Sequence, residues 1–510
     1  MKTFFSRLAA ATFLIGLPIT SAQAEFSDQE LENSGLVLQW ETNVGGSPLA
    51  HGADSLKFWA HTTERKEAVH FYANGKLIKS FNSTDVDDTQ LEATLLAGKS
   101  PSEAPKLGLE GATQRAEKLS TLYKKIGRTT EVKTETSKAY YAVSVGDTGT
   151  VTALDAESGA TLWKRQLPAP ELPILGPSVS DDYVAALNGH EFFVYRLKDG
   201  NLIARRRLKY VATGRPTLLN NKLAIPSIGG RLVIYDILNP NIAEQMLRVG
   251  SENRIGIVKS TDNQFIAWPM QQKLVVCKLD TPPFSWYTYD AGFGSQLPSI
   301  PVPISDGFIV VSHNGTVTRL GLDRQNPFKW KSLLGTSCNQ APVAGRKHVA
   351  VVTQDGRIYL VDIQTGEWKW TRPLRGFDAV LTVTDKHVFA MDAAKNLVTI
   401  DVETGTVQAR VFVGNRTPIS NSSTDRVVLS DQHGMLTCLR EPGSDFPILV
   451  APYAAGAEDD ANENKSTKPT PAADTPKPDD EPLDDNFGED PFGSEGTDSD
   501  DSSDDPFSGL

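Results

Sequence analysis

Cysteine is scarce in this sequence, since only Cys277, Cys338 and Cys438 occur among 510 residues and no two are adjacent. So few thiols cannot build the disulfide framework of a small secreted domain. The eight histidines show no zinc-site spacing with cysteine, and a His-Glu-x-x-His motif is missing, so we predict no metal site. Basic charge is also deficient. The net charge of −12 and the lack of a broad basic stretch argue against a nucleic-acid-binding protein.

A long apolar run occurs once, at residues 8–19, behind a positively charged start. It is too short to cross about 30 Å of hydrocarbon, and small residues at 22 and 24 stand where a signal peptidase cuts. The pattern predicts a cleaved signal peptide over residues 1–24 and a mature chain that begins near Glu25. We therefore expect a periplasmic or secreted protein that does not span the membrane. No cysteine stands near the cleavage site to carry a lipid anchor.

The negative charge is concentrated at the end of the chain. Residues 456–510 hold 18 aspartates and glutamates against three lysines, a net of −15, so the rest of the chain is close to +3. With few large apolar side chains, residues 454–510 are predicted to be a disordered acidic tail. Phe487, Phe492 and Phe507 each end an Asp-x-Phe motif. They are candidate anchors for a partner's pocket, where three copies would add avidity; alternatively, the tail only solubilises the protein.

One short strand-like segment recurs eight times through the middle of the chain. Each copy is rich in β-branched or aromatic residues, and its fourth position is apolar or cysteine. The last residues of successive copies are 41, 40, 42, 43, 41, 39 and 38 positions apart. The copies span residues 151–155, 192–196, 232–236, 274–278, 317–321, 358–362, 397–401 and 435–439.

Turn residues flank most of these copies. Asn-Gly, Asp-Gly and Gly-Gly pairs, which favour tight hairpins, join an earlier strand to the copy. Beyond several copies, an Asp-x-x-x-Gly turn leads to a further strand. About four strands in about 40 residues, repeated around a ring, are typical of a β-propeller blade. Helical periodicity is missing between the strands, which excludes a parallel α/β array. The sequence therefore predicts an all-β propeller with eight blades, or nine.

The turn and strand after the first copy resemble the tryptophan-docking motif of pyrroloquinoline-quinone (PQQ) repeats. The matching positions are Asp155, Gly159 and Trp163 in one copy, Asp362, Gly366 and Trp370 in a second, and Asp401 and Gly405 in a third. Ala409 stands where the third tryptophan belongs, and Trp330 stands without its Asp and Gly. The resemblance implies PQQ-like repeats over residues 130–443. The general build also resembles the propeller subunit of the outer-membrane β-barrel assembly machinery and, with the acidic tail, secreted PQQ-repeat proteins of planctomycete-type bacteria.

This resemblance implies a choice of functions. A propeller of the assembly-machinery type implies a non-enzymatic scaffold, monomeric, with an envelope or secreted protein as partner. Quinone-dependent dehydrogenases have similar repeats and hold a quinone and Ca²⁺ over the channel under a vicinal disulfide. No two cysteines are adjacent here, and no acidic cluster stands out as a calcium site. We therefore expect no cofactor and no catalytic residue, and favour the scaffold. A PQQ-dependent dehydrogenase and a glycan- or small-ligand-binding protein remain the alternatives.

Residues 25–129 precede the well-formed repeats. The eighth copy lacks a fourth strand, and residues 36–40 are predicted to supply it, which would close the ring and remove open sheet edges. Residues 56–81 are strand-like with an Asn74-Gly75 turn, and form either a degenerate ninth blade or a hairpin beside an eight-bladed ring. A helical insertion follows, and it is expected either to pack on the propeller rim or to dock a partner. Its apolar face is predicted to comprise Ala112, Ala116, Leu119, Leu122, Tyr123 and Ile126.

The cysteines allow one more prediction. Cys277 and Cys438 hold equivalent positions in copies four repeats apart. Across an eight-bladed ring they would be separated by far more than the ~7 Å at which a disulfide can form. An exposed odd thiol would be unfavourable in an oxidising compartment. We therefore predict that Cys277, Cys338 and Cys438 are all buried.

Overall fold

A computed structural model describes residues 28–47, 55–83, 87, 96, 105–253, 255–292, 296–442, 444, 447, 448 and 450. The predicted signal peptide and the predicted acidic tail, with Phe487, Phe492 and Phe507, lie outside these residues. Within the described ranges, no helix is long and apolar enough to cross a bilayer.

Eight antiparallel sheets form the fold, seven of four strands and one of five. Each recurring segment of the sequence is the third strand from the channel in its blade; the five-stranded sheet carries one additional strand beside its innermost strand. In the strand Glu191–Arg196, for example, all four central residues are buried. Both faces of such a strand are covered by neighbouring sheets, so it reads as a continuous apolar run rather than as an alternating one. The prediction of an eight-bladed β-propeller is confirmed.

The first half of the chain begins with the helix α1 (Asp28–Asn33) and the strand β1 (Val37–Asn43). Blade 1 contains β2 (Leu56–Ala73), β3 (Lys76–Asn82), β4 (Thr130–Val145), β5 (Thr150–Asp155) and β6 (Thr161–Gln166), with the helix α2 (Gly108–Lys125) between β3 and β4. Blade 2 contains β7 (Ile174–Val179), β8 (Tyr183–Asn188), β9 (Glu191–Arg196) and β10 (Leu202–Arg207). Blade 3 contains β11 (Thr217–Leu219), β12 (Lys222–Ser227), β13 (Arg231–Asp236) and β14 (Gln245–Arg248). Blade 4 contains β15 (Val258–Lys259), β16 (Phe265–Pro269), β17 (Lys273–Lys278) and β18 (Phe284–Asp290).

The second half follows the same plan. Blade 5 contains β19 (Val302–Ile304), β20 (Gly307–Val311), β21 (Thr316–Gly321) and β22 (Phe328–Leu333). Blade 6 contains β23 (Val343–Ala344), β24 (His348–Val352), β25 (Arg357–Asp362) and β26 (Leu374–Arg375). Blade 7 contains β27 (Phe377–Val383), β28 (His387–Asp392), β29 (Asn396–Asp401) and β30 (Val407–Phe412). Blade 8 contains β31 (Thr417–Ile419), β32 (Val427–Ser430) and β33 (Met435–Arg440), and β1 is its fourth strand.

The first strand closes the ring on the last blade. β1 pairs antiparallel with β33, from Val37 opposite Arg440 to Asn43 opposite Met435. A separate apolar cluster fills each of the eight spaces between neighbouring blades. The cluster between blades 8 and 1 includes Trp40 of β1. Because the two ends of the ring share one blade, opening the ring would require this β ladder and its apolar cluster to separate.

Blade 1 extends beyond the ring. β2 and β4 are 18 and 16 residues long, and residues 56–60 and 140–144 form their pairing within the blade. After a register shift between Ala60 and Arg65, residues 65–73 continue beside residues 130–138, with β3 as a third strand. Residues 56–81 are therefore the innermost strand of blade 1 and a hairpin, not a ninth blade. We call residues 65–82, 108–125 and 130–138 the blade 1 projection.

The helix α2 packs on this projection. Ala112 and Ala116 are fully buried against β2 and β3, and Tyr123 is partly buried in the same cluster. The prediction that Leu122 and Ile126 belong to the buried face is wrong, because their side chains are 56% and 67% exposed. Ala112 and Ala116 let the helix lie close to the sheet, which covers only a narrow apolar stripe of the helix. Leu122 lies beside this stripe, so its side chain points to solvent. Ile126 also lies just beyond the last helical residue.

All three cysteines are buried and unpaired, which confirms the prediction of their burial. Cys277 packs between blades 3 and 4, and Cys438 packs between blades 8 and 1. Burial raises the pKa of Cys277 and of Cys438 to about 12. Burial raises the pKa of Cys338 to about 11. The thiols therefore stay protonated at neutral pH, which makes them unreactive core residues.

Candidate functional site: the ring wall and the central channel

The Asp-x-x-x-Gly turns of the repeat motif form as local hydrogen-bonded loops. Asp155 Oδ1 accepts from two following backbone N–H groups at 3.0 and 3.2 Å. The Gly159 N–H donates to the Asp155 carbonyl at 2.9 Å. Gly159 has φ +70°, a conformation that glycine adopts without a Cβ penalty. The same turn occurs at Asp362 and Gly366 and at Asp401 and Gly405.

Each of these turns, and the corresponding turn at Gly200, receives a tryptophan from the preceding blade. Trp163 of blade 1 lies on Gly200 of blade 2, where an added Cβ would stand 2.6 Å from the ring. Its Nε1 donates to the Leu197 carbonyl at 2.6 Å. The same contact joins Trp40 to Gly159, Trp330 to Gly366, and Trp370 to Gly405. Within one repeat the aspartate and glycine therefore form a turn together, whereas the tryptophan docks on the turn of the next blade. Trp330, which has no Asp and Gly of its own, docks on those of the next blade.

Two blades obtain the docking contact in other ways. In blade 8, Trp40 of the closing strand supplies it, and Nε1 donates to the Ala156 carbonyl at 2.9 Å. In blade 2, Arg206 Nη1 donates to the Asp236 carbonyl of blade 3 at 3.1 Å. Its guanidinium lies 5.6 Å from the centre of the Tyr235 ring. These contacts lie in the wall of the ring, so the repeat-motif residues act in blade-to-blade packing.

The innermost strands surround the central channel. Proline occurs in or beside most of them, at Pro177, Pro216, Pro301, Pro303, Pro342 and Pro418. Proline cannot donate a hydrogen bond to a β ladder, so it is tolerated in an edge strand, where one side has no partner strand. The proline pattern is therefore explained by the open inner edge of each blade.

A cavity of about 570 Å³ occupies the channel. Its lining residues come from blades 1 to 6 and from blade 8. Trp59, Ile257 and Val302 supply apolar surface, and residues 420–423 supply serine and asparagine side chains. This volume lies within the range of about 300–1,000 Å³ that is common for ligand sites. None of the repeat-motif residues lines this cavity.

Cationic side chains outnumber carboxylates in the lining. Lys57 and Lys138 come from blade 1, Arg215 comes from the segment before β11, and Lys259 comes from β15. Among the lining residues that the structure describes, Asp262 is the one carboxylate. Burial lowers the pKa of Lys57 to about 8 and that of Arg215 to about 10, because a low-dielectric environment disfavours the charged form.

Lys259 connects three blades. From blade 4, its Nζ donates to the Leu218 carbonyl of blade 3 at 3.0 Å and lies 4.2 Å from the centre of the Trp59 ring of blade 1. Burial lowers the pKa of Lys259 to about 7, against the opposing charge of Asp181. The ammonium group therefore titrates close to neutral pH.

Trp59 is held in place by Asp181 of blade 2. Trp59 Nε1 donates to Asp181 Oδ1 at 2.9 Å, and the Thr62 backbone N–H donates to the same oxygen at 3.1 Å. Burial alone would raise the pKa of Asp181, but the hydrogen bonds from Thr62 and Trp59 lower it. The carboxylate therefore stays ionised and fixes the indole ring against Lys259. Within the described ranges, no group of three or more His, Cys, Asp or Glu side chains is placed to hold a metal ion.

The amino-acid sequence of the blades also identifies the family of this chain. Residues 130–276 and 299–441, together more than half of the chain, match the family described as outer membrane protein assembly factor BamB. The chain belongs to the BamB family. The matched residues begin with β4, so β1, β2, β3 and α2 lie outside the BamB match, although β2 supplies the innermost strand of blade 1.

Several solved structures are similar in fold. BamB from Moraxella catarrhalis is 12% identical, with a TM-score of 0.47, over 59% of this chain and 93% of that one. The computationally designed Ika8 protein is 14% identical, with a TM-score of 0.45, over 58% of this chain and 92% of that one. The β-propeller domain of Myceliophteria thermophila Cps50 (Swd1) is 16% identical, with a TM-score of 0.38, over 52% and 92%. Among curated proteins, none matches the chain.

Sequence reasoning missed the cations of the channel. It located the repeat motif of the BamB family in the third and fourth strands of the blades. Lys57, Arg215 and Lys259 lie in or beside the innermost strands, some of which are only two or three residues long. The signal that could have found these strands is the proline that precedes many of the hairpins, as at Arg215-Pro216.

Proposed function

We propose that this protein is an exported, non-enzymatic β-propeller that binds other proteins as a scaffold in the cell envelope. The observation that carries the proposal is the match to the outer membrane protein assembly factor BamB family over most of the ring. A factor for the assembly of outer membrane proteins acts on envelope proteins, and the same kind of partner is proposed here.

The architecture supports this role. Eight apolar clusters and the tryptophan contacts between blades make the ring a rigid frame. A rigid frame positions loops and edges for contact with a partner at little entropic cost.

The blade 1 projection is the surface proposed to contact the partner. It extends from the ring, and Leu122 of α2 and Ile126 just beyond the helix are exposed four residues apart. Adjacent exposed apolar side chains are characteristic of protein contact surfaces. Phe487, Phe492 and Phe507 of the acidic tail are proposed as accessory anchors.

Site-specific photocrosslinking tests the proposed surface. A photoreactive amino acid replaces Leu122 of α2 in the full-length chain, and the matched control carries it at Leu333 of β22, which is 63% exposed. Irradiated cells should yield a discrete crosslinked partner from position 122 and a much weaker product from position 333. Equal products from both positions would contradict the assignment to the projection. No protein partner from either position would count against a scaffold.

Three further measurements separate the parts of the proposal. Capture with a chain that ends at Tyr453 should recover less of the same partner, whereas equal recovery would eliminate the tail as an anchor. N-terminal sequencing of the envelope fraction should begin near Glu25, and an unprocessed chain confined to the cytoplasm would contradict export. Dye-linked alcohol oxidation with added PQQ and Ca²⁺ should show no turnover, whereas saturable turnover would favour the dehydrogenase.

A further inference from the structure

We infer that the central channel captures small aldehydes with an apolar body through a reversible covalent bond to Lys259. The bond is an imine between Nζ of this lysine and the carbonyl carbon of the aldehyde. The site is separate from the proposed scaffold function, because Lys259 belongs neither to the blade 1 projection nor to the predicted acidic tail.

The contacts of the Lys259 amine are the first argument. Nζ donates to the Leu218 carbonyl at 3.0 Å and lies 4.2 Å from the centre of the Trp59 ring. Both partners are neutral groups, so they accept N–H bonds from a neutral amine as well as from an ammonium ion. A neutral amine has two N–H bonds, for which the carbonyl and the ring face are acceptors. The lone pair then takes the remaining tetrahedral direction, away from both contacts.

The protonation state of the amine is the second argument. Desolvation lowers the pKa of Lys259 from 10.5 to about 7, and the charge of Asp181 opposes this shift only in part. About half of the Lys259 side chains therefore carry a neutral, nucleophilic amine at pH 7, against roughly one in 3,000 for a lysine in water. Desolvated lysines of this kind are the ones that form imines with carbonyl compounds in proteins.

The cavity is the third argument, and it indicates the class of ligand. Lys259 is only partly buried, because its side chain lines the cavity of about 570 Å³ in the channel. Trp59, Ile257 and Val302 supply apolar surface to the same lining. A cavity of this size accepts a small organic molecule. Apolar surface beside the amine favours an aldehyde whose carbonyl carbon carries an alkyl or aryl group.

Capture requires no reagent besides the aldehyde. The lone pair of Lys259 Nζ attacks the carbonyl carbon, and the π electrons of the C=O bond move to the oxygen, which gains a proton from the nitrogen. The resulting hydroxyl group then leaves with the second N–H proton as water, and the C=N double bond forms. Nothing is oxidised or reduced, and hydrolysis by water releases the aldehyde again.

Reductive trapping in the full-length protein tests the inference. Sodium cyanoborohydride delivers hydride to the carbon of each imine that benzaldehyde forms, and peptide mass spectrometry then locates the benzyl group. Lys329, exposed on β22, is the matched control in the same chain. At pH 7, Lys259 should be labelled at least about tenfold faster than Lys329. Acetaldehyde, which has a smaller apolar body, should give a smaller ratio of the two rates.

The ratio of the two labelling rates should also depend on pH. Between about pH 8 and about pH 9, the neutral fraction of a lysine in water rises about tenfold, whereas that of Lys259 is already nearly complete. The ratio should therefore fall about tenfold over this interval, and the pH dependence of the reagent cancels in it. Among the described residues, the titratable and charged groups that share this cavity or act on the charge of Lys259 are Lys57, His61, Lys138, Asp181, Arg215 and Asp262.

Two variants and an unfolded control separate the chemistry from the folding. Lys259→Met removes the nucleophile, and Lys259→Arg keeps a cation that stays protonated, so both should abolish the fast phase of benzyl incorporation. In wild type unfolded by urea, positions 259 and 329 should react at similar rates. Should both variants fail to fold, the comparison of folded with unfolded wild type gives the test by itself.

Three results would overturn the inference. The first is labelling of Lys259 no faster than that of Lys329 in the folded protein. The second is fast labelling at Lys57 instead of Lys259. The third is a ratio of rates that stays constant between about pH 8 and about pH 9.

Discussion

Replacing Trp40 by alanine should strongly destabilise the propeller, because this side chain lies at the closure of the ring. Trp40 is 6% exposed in the apolar cluster between blades 8 and 1. Its ring covers Gly159, and its Nε1 donates to the Ala156 carbonyl at 2.9 Å. Trp40→Ala removes all three interactions and leaves β1 joined to blade 1 through the hydrogen bonds of Gln39, Thr42 and Asn43.

The magnitude follows from the burial and from the hydrogen bond. Truncation of a buried tryptophan to alanine costs about 3–5 kcal/mol in protein cores. Trp40→Phe retains most of the apolar contact and removes the indole donor, so it should cost about 1–2 kcal/mol, the usual cost of leaving a buried acceptor unpaired. The expected order of stability is wild type, then Trp40→Phe, then Trp40→Ala.

Urea unfolding followed by circular dichroism measures these differences. The matched control is Trp368→Ala, since Trp368 is 41% exposed and its Nε1 donates to Ser332 Oγ at 3.1 Å on the outer side of the ring. A change at such a site should stay below about 1 kcal/mol. If Trp40→Ala lowers the free energy of unfolding no more than Trp368→Ala does, and both variants keep the wild-type slope of that free energy against urea concentration, the closing role of Trp40 is refuted.

Four other outcomes are expected. Gly366→Ala should lower the free energy of unfolding in urea by about 1–3 kcal/mol, and by more than Gly414→Ala does. Both glycines have a positive φ. An added Cβ would lie 2.5 Å from the docked tryptophan at Gly366, whereas nothing lies within 4 Å of it at Gly414. Arg426→Leu should cost about 3–5 kcal/mol at neutral pH, because it removes the buried cation 3.0 Å from Asp425, and part of this loss should be recovered in acid as the carboxylate is protonated. The three buried thiols should resist iodoacetamide in the native protein and react after unfolding. Burial lowers the pKa of Lys259 to about 7 from 10.5, so the unfolded chain binds more protons between these values. The free energy of unfolding of wild type should therefore rise with pH in this window relative to Lys259→Met, and a constant difference would contradict the shift.

The blade unit was predictable because its interactions are local. Hairpins join strands across two-residue turns, so Asn-Gly and Asp-Gly pairs and runs of β-branched residues specify them directly. The closing strand was also predictable, because the eighth repeat lacks a strand and the ends of a ring must pair. The apolar face of α2 was predicted only in part. Helical periodicity shows which residues share a side, but how far that side is covered depends on the sheet it meets, and Leu122 and Ile126 lie beyond that cover.

Local pattern in the chain thus dictates the strands and the turns, whereas the choice of eight blades over nine was decided by the fold, which joins residues 56–81 to blade 1. Contacts between residues that are far apart in the sequence, by contrast, depend on how the blades pack into a ring. Within one repeat, Asp155, Gly159 and Trp163 look like a single motif, yet the tryptophan docks on the next blade, because neighbouring blades rather than neighbouring residues meet at the wall. Lys57 and Lys259 carry no pattern in common, and they share a cavity only because closure brings the innermost strands of separate blades around one axis.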